Sequence, residues 1–82
     1  MLLTLDIGNT SITIGLFNGE KLDSIKRIPS NIHYSINDYK ELLTETIDSD
    51  CIDSCIIASV VNGLDKILYD AILLTFGIES II

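Results

Sequence analysis

An aspartate near the end of an otherwise apolar N-terminal segment is the feature that most restricts how this chain folds. Residues 2–7 read Leu-Leu-Thr-Leu-Asp-Ile and are followed by Gly-Asn-Thr. The apolar run is typical of a buried strand, and the next three residues are typical of a turn. A carboxylate at the end of a buried strand is costly unless it is paired, hydrated or bound to a metal. Asp6 therefore marks the first turn as a candidate binding site.

The turn is followed by two more segments with the pattern of strands. Residues 11–17 alternate between apolar and small or polar side chains, as in a strand with one buried face. Asn18 and Gly19 both tolerate positive φ, so they predict a type I′ hairpin turn. Residues 20–28 alternate more loosely, as expected for an exposed edge strand. The first third of the chain is thus predicted to be a three-stranded antiparallel meander.

A first amphipathic helix is predicted over residues 36–48. Pro29 ends the preceding strand, and Ser35 with Asp38 resembles a capping box in which Asp replaces the usual Glu. The apolar positions recur at helical spacing. They are Ile36, Tyr39, Leu43 and Ile47.

The last third predicts a strand, a second helix and a final strand. Residues 55–61 form an unbroken apolar and β-branched run, which predicts a strand buried on both faces. Asn62 is the expected N-cap of the helix and Gly77 its C-terminal stop. Residues 78–82 begin another apolar strand. The apolar stripe of the second helix consists of Leu64, Ile67, Leu68, Ala71, Ile72 and Thr75.

The resulting order of elements is β-β-β-α-β-α-β within a single α/β domain spanning residues 1–82. Right-handed helical crossovers would bring the later strands parallel to the first. The pattern matches the ribonuclease-H-like fold of actin-like ATPases, a mixed five-stranded sheet with the strand order 3-2-1-4-5. The strand order rests on analogy with that fold. Because no helix follows the last strand to cover the far face of the sheet, we expect the chain to be a fragment.

Charge and hydropathy exclude several classes of function. The net charge is −7, with twelve acidic and five basic residues, which argues against binding nucleic acid. Apolar runs are far shorter than the roughly 18–20 residues that span a bilayer, and no signal peptide is evident. We expect a cytoplasmic protein without membrane or nucleic-acid partners.

Other reactive side chains predict ordinary structural roles. Cys51 and Cys55 are four residues apart, and His33 is the only histidine, so no zinc set or disulfide is expected. Cys55 should be a buried thiol and Cys51 a loop thiol. The sequence allows two positions for Ser59 and Asn62. Either side chain could face the same cleft as Asp6, or it could simply pack at the end of the strand. We interpret the acidic cluster as a solvated surface; its members are Glu45, Asp48, Asp50 and Asp53.

The first turn has the chemistry of a phosphate site that does without lysine. Gly8 would let a phosphate approach the backbone, and successive N–H groups can bind an anion. Asp6 would orient Mg²⁺ through water, because Mg²⁺ retains its waters and uses few carboxylates. A simple hairpin turn is the alternative interpretation. The residues assigned to this site are Asp6, Ile7, Gly8, Asn9, Thr10, Ser11, Ile12 and Thr13.

Several motifs in the same order resemble the N-terminal half of type III pantothenate kinases. The segments that carry the resemblance are residues 3–12, 17–19, 27–30, 57–61 and 76–79. Three positions depart from the usual family pattern. Ser11 stands where Asn is usual, and Asn62 and Ser80 stand where Pro is common.

That resemblance implies ATP-dependent phosphorylation of pantothenate to 4'-phosphopantothenate, the entry step of coenzyme A biosynthesis. It also implies Mg²⁺, a monovalent cation such as K⁺ or NH₄⁺, and a cytoplasmic homodimer. The family's ATP-contacting segment corresponds to residues 6–13, whereas its general base and pantothenate pocket lie in the second half. We therefore expect no catalytic residue and no kinase activity in these 82 residues alone. Two alternatives remain, a non-catalytic nucleotide-binding or transcriptional accessory protein and an inactive truncated gene product.

Overall fold

The predicted order of elements is confirmed as far as the second helix. The computed structural model of the chain describes residues 1–47 and 51–82. These residues form four strands and two helices in the order β-β-β-α-β-α. They are β1 (Leu2–Ile7), β2 (Ser11–Asn18), β3 (Lys21–Pro29), α1 (Ile36–Thr46), β4 (Ser54–Ser59) and α2 (Leu64–Phe76).

The strands form one mixed sheet in the order β3-β2-β1-β4. The β1 strand is antiparallel to β2 and parallel to β4, and β2 is antiparallel to β3. The predicted fifth strand is reduced to one parallel bridge between Ile56 and Ile81. The Ile81 amide donates to the Cys55 carbonyl at 2.8 Å, and the Ile57 amide donates to the Ile81 carbonyl at 2.7 Å. The segment thus lies beside β4, where the fifth strand was predicted, but the prediction of five full strands is wrong for the described residues.

Only one face of the sheet is covered by the helices. Alternate residues of β1 and β2, together with Cys55 and Ile57 of β4, are buried against the apolar stripes of α1 and α2. We call the opposite side the open face; it carries Leu22, Ile25, Ile56 and Ile81, which are exposed, and the partly buried Phe17.

The prediction that β4 is buried on both faces is therefore wrong. Ile56 is 43% exposed, whereas its neighbour Ile57 is 2% exposed. The strand also ends at Ser59, two residues before the predicted end. An apolar run cannot show which of its two faces is covered, because that depends on where both helices pack.

The prediction of a type I′ turn between β2 and β3 is also wrong. Asn18 pairs with Lys21, so the two central residues of the turn are Gly19 and Glu20. Gly19 has a φ of 64°, and no other residue of this hairpin has positive φ. A type I′ turn requires positive φ at both central positions, so the turn is not of that type. Positive φ at the first central position alone is the pattern of a type II′ turn.

Capping explains where the first helix begins. The Ser35 hydroxyl accepts a hydrogen bond from the Asp38 amide at 3.1 Å, and the Asp38 carboxylate accepts one from the Ser35 amide at 2.9 Å. This is the reciprocal capping box that the sequence predicts. At the other end, Lys26 of β3 donates from Nζ to the Thr46 carbonyl at 2.8 Å. The predicted helix ended at Asp48, which lies outside the described residues.

The second helix is bounded by two glycines. Gly77 has a φ of 71° and its amide donates to the Leu73 carbonyl at 2.9 Å, which confirms the predicted stop. The N-cap is Gly63, with a φ of 89° and no side-chain hydrogen bond to the helix. The prediction of Asn62 as the cap is therefore wrong. The chain enters the helix through a left-handed residue, a conformation that glycine adopts without steric cost.

Candidate functional site

The candidate site is the turn between β1 and β2 together with the strand ends beside it. The Gly8 amide donates to the Ser11 carbonyl at 2.9 Å and closes the turn. Gly8 is not in the left-handed region. A Cβ atom there would lie 3.2 Å from the Ser11 carbonyl oxygen, so the closeness of the turn is what favours glycine.

Two further backbone contacts hold this turn against neighbouring segments. The Val60 amide donates to the Ile7 carbonyl at 3.1 Å, and the Ser30 amide donates to the Thr10 carbonyl at 3.2 Å. The loops that follow β1, β3 and β4 therefore meet at one end of the sheet. In open α/β sheets, ligands bind beyond the carboxyl ends of the parallel strands, and this is such an end.

The turn leaves two backbone donors available. Neither the Asn9 amide nor the Thr10 amide has a hydrogen-bond partner within residues 1–47 and 51–82. The Gly8 amide is already used, so the predicted series of anion-binding N–H groups begins at Asn9. Both residues are exposed, and unpaired backbone amides of this kind bind anions.

Asp6 lies on the open face, one residue before the end of β1. Its neighbours across the sheet are Thr13 of β2 and Ala58 of β4. The Asp6 side chain is exposed and makes no ion pair or hydrogen bond with any residue that the structure describes. An exposed carboxylate without a protein partner suits a metal ion that keeps most of its water ligands, as Mg²⁺ does.

The eight predicted site residues divide into two groups. Ile7 and Ile12 are fully buried in the core, so any contact with a ligand comes from their backbone. Ser11 and Thr13 are partly buried, and their hydroxyls have no partner in the described parts of the chain. The side chains of Asp6, Asn9 and Thr10 are exposed, and Gly8 is partly exposed. The polar residues of the predicted site therefore lie together at one end of the sheet.

Of the two residues left open by the sequence, Ser59 is engaged within its own loop, and the position of Asn62 does not decide between the two alternatives. The Ser59 hydroxyl accepts a hydrogen bond from the Val61 amide and donates one to the Val61 carbonyl, both at 3.0 Å. Both hydrogen bonds are therefore made within its own loop. Asn62 is exposed and follows that loop. His33 is exposed, and its backbone amide donates to the Asn31 side chain at 2.9 Å.

A buried tyrosine fixes the loop beside the turn, which sequence reasoning missed. Tyr39 of α1 is fully buried, and its hydroxyl donates to the Pro29 carbonyl at 3.0 Å and accepts from the Asn31 amide at 2.9 Å. Burial raises the pKa of Tyr39, the Asn31 hydrogen bond opposes that rise, and nearby Tyr34 adds to it. Pro29 and Asn31 flank Ser30, so Tyr39 holds the segment that contacts Thr10.

Two surface concavities lie away from the turn. One of about 280 Å³ and one of about 450 Å³ run along the outer surface of α1 and share Glu41 and Glu45 in their walls. Neither includes a residue of the turn. Glu41 and Glu45 repel phosphate in both concavities, although Lys40 also lines the larger one. Within the described residues, no group of three or more potential ligands is placed to hold a metal ion, and no helix is long and apolar enough to cross a membrane.

The two cysteines are placed as predicted. Cys51 is exposed and Cys55 is buried, and neither forms a disulfide. Burial raises the pKa of the Cys55 thiol, and the Ser80 hydroxyl opposes this more weakly. Of the acidic cluster, Glu45 and Asp53 are exposed, and Asp48 and Asp50 lie outside the described residues. Asp53 contacts the N-terminal ammonium group at 3.4 Å.

Comparison with known proteins identifies the family. A family model described as type III pantothenate kinase matches residues 2–82. The type III pantothenate kinase of Agathobacter rectalis is 33% identical, in a match that covers 100% of this chain and 34% of the relative. That of Acholeplasma laidlawii is 43% identical, over 74% of this chain and 25% of the relative. That of Thermus thermophilus is 34% identical, over 98% of this chain and 33% of the relative.

The chain therefore spans about a third or less of the length of these curated relatives. The family match nevertheless covers almost every residue, including the turn, the open face and both helices. This chain belongs to the type III pantothenate kinase family.

Proposed function

We propose that this chain forms the ATP-phosphate-binding part of an enzyme that phosphorylates pantothenate to 4'-phosphopantothenate, at the entry to coenzyme A biosynthesis. Family membership and the relatives' names support the reaction. The observation that carries the role of this chain is the turn itself. The Asp6 carboxylate near the end of β1 and the Asn9 and Thr10 amides of the turn that follows have no partner within residues 1–47 and 51–82, and this turn lies at the carboxyl end of parallel strands.

The residues present fit Mg²⁺ and ATP. Asp6 would hold Mg²⁺ through water, and the two amides with the nearby hydroxyls would bind phosphate oxygens. Bound Mg²⁺ supplies charge neutralisation at the transferring phosphate. In kinases, positioning and charge neutralisation account for most of the catalysis. The part of this chain in the reaction is thus to bind and orient the triphosphate.

The remaining parts of the site come from outside these residues in our proposal. We assign no general base and no pantothenate pocket to residues 1–82. The relatives are roughly three times as long as this chain, and the family's second half would provide both functions. We further propose the ribonuclease-H-like fold, a monovalent cation site, cytoplasmic location and a homodimer for the whole enzyme. The four-stranded sheet with its 3-2-1-4 order agrees with that fold.

A fusion protein tests the proposed function. This chain is joined to the segment of the Agathobacter rectalis enzyme that follows the matched region, and 4'-phosphopantothenate is measured with Mg·ATP and pantothenate. We expect turnover from the fusion and none from the 82-residue chain alone. Asp6→Asn should reduce kcat/KM at least about a hundredfold, since a metal-orienting charge is lost. Asp23→Asn on the exposed edge strand should leave kcat/KM within about twofold, because surface charges away from a site contribute little.

The fusion also separates the proposal from its alternatives. A folded fusion that binds ATP but forms no phosphopantothenate would favour a nucleotide-binding protein without kinase activity. Turnover by the 82-residue chain alone would contradict our division of the site. Unchanged turnover in the Asp6→Asn fusion would contradict the role of that carboxylate.

A further inference from the structure

A polar row crosses the open face at the end of the sheet that carries the turn. Asp6 of β1 pairs with Thr13 of β2, and Thr13 pairs with Arg27 of β3. The next pair toward the turn, Ile12 with Ile28, is buried on the helix side. Because side chains alternate along a strand, Thr13 and Arg27 project from the opposite face, as Asp6 does.

Arg27 is available to bind a ligand. It is exposed and has no ion pair or hydrogen bond to any residue in the described ranges. Its neighbour Lys26 instead reaches the Thr46 carbonyl at the end of α1. Lys66 pairs with Asp70 at 3.7 Å. Arg27 is thus an uncommitted cation in a chain of net charge −7, and it lies in the same row as the uncommitted Asp6.

The spacing of the row suits a metal-bound polyphosphate. Adjacent strands are about 4.8 Å apart, so the Cα atoms of Asp6 and Arg27 are separated by roughly 10 Å across β2. The long Arg27 side chain can reach over much of that gap, and Thr13 lies between the two residues in the register. A guanidinium group binds phosphate through two parallel hydrogen bonds, which a carboxylate cannot do. The two ends of the row thus favour a cation at Asp6 and an anion at Arg27.

We propose that Arg27 is a phosphate-binding residue of this site and contacts the terminal phosphates of the nucleoside triphosphate from across β2. This inference rests on the proposed function, because the same nucleotide occupies the turn. It adds a residue from β3 to a site that the sequence confined to residues 6–13. The sequence alone did not indicate Arg27 as a site residue, because only the strand register places residue 27 beside residue 13.

The test is an amide NMR titration of the ¹⁵N-labelled chain with Mg·ATP, Mg·ADP and AMP. The variants are Arg27→Gln, Arg27→Lys and the control Lys21→Gln, which removes an exposed charge at the far end of the same strand. We expect Arg27→Gln to weaken Mg·ATP binding at least tenfold and AMP binding less than twofold. Arg27→Lys should weaken Mg·ATP binding to an intermediate degree, and Lys21→Gln should change it less than twofold. Amide dispersion reports that each variant is folded.

Each outcome bears on one claim. If the wild-type chain binds Mg·ATP at residues 6–13 and Arg27→Gln binds it equally well, Arg27 is not a ligand and the proposed function stands. Equal weakening by Arg27→Gln and Lys21→Gln would show a general charge effect and overturn the inference. If wild-type residues 6–13 do not respond to Mg·ATP, the proposed phosphate site fails and the inference fails with it.

Discussion

The side-chain oxygen of Thr4 lies too close to Gly15 to leave room for a β-carbon there. The two residues are direct partners across β1 and β2. An ideal Cβ on Gly15 would lie 2.6 Å from Thr4 Oγ1, closer than real Cβ contacts allow. The Thr4 hydroxyl also donates to the Gly15 carbonyl at 3.4 Å. Glycine at this position therefore lets a threonine side chain lie across the open face without disturbing the strand register.

Gly15→Ala should lower the free energy of unfolding by about 1–3 kcal/mol, the usual cost of overpacking. Thr4→Ala removes the obstructing oxygen, so Gly15→Ala should cost much less in that background. A double-mutant cycle in urea measures this coupling, which we expect to reach about 1 kcal/mol or more. Strictly additive effects would show that the Thr4 oxygen is not the obstacle.

Tyr39→Phe should destabilise the chain by about 1–2 kcal/mol, because two partly buried hydrogen bonds, to the Pro29 carbonyl and from the Asn31 amide, are lost. The ring still fills the core, so the change isolates the hydroxyl that bonds Pro29 and Asn31. Hydrogen exchange at the Asn31 amide should accelerate more than exchange in β1. Tyr69→Phe is the matched control, since Tyr69 is only partly buried. Equal effects of the two substitutions would contradict the role of the Tyr39 hydroxyl.

The buried thiol predicts a loss of stability at high pH. Burial raises the pKa of Cys55 in the folded chain, so folding favours the protonated thiol. Its contribution is fully present below the unfolded pKa of about 8.5 and is lost as the pH rises through the higher folded value. Urea unfolding between pH 7 and pH 10 should show this decline in the wild type and in Cys51→Ala. The decline should be smaller in Cys55→Ala, and an unchanged decline there would contradict the assignment to Cys55.

Local patterns predicted those parts of the fold that local interactions determine. The capping box of Ser35 and Asp38, the stop at Gly77 and the bounds of β1 are each set by a few neighbouring residues. The one-sided burial of β4 depends on where α1 and α2 pack. The hairpin at Gly19 depends on pairing register, and the final bridge at Ile81 depends on how long the last segment stays beside β4.

The candidate site was likewise predictable only where neighbouring residues in the sequence determine it. Asp6, two residues before Gly-Asn-Thr, was enough to predict the turn as a candidate site. A charge in an apolar strand can be recognised from the neighbouring residues alone, because it is costly there unless it is paired, hydrated or bound to a metal. The use of the Gly8 amide within the turn was not predictable, nor was the approach of Ser30 to Thr10. Arg27 lies 14 positions from Thr13 along the chain and directly beside it in the sheet. Strand register, which involves distant residues, decides such neighbours.

The central claim is that the first turn binds the phosphates of ATP through free amides and a metal-orienting carboxylate. The most direct measurement is the response of the Asn9 and Thr10 amides in ¹⁵N-labelled chain to Mg·ATP, in the wild type and in Asp6→Asn. We predict saturable shifts at both amides that require Mg²⁺ and weaken at least tenfold in the folded Asp6→Asn variant. Absence of shifts in the folded wild type at millimolar Mg·ATP, or identical binding by Asp6→Asn, would contradict the claim.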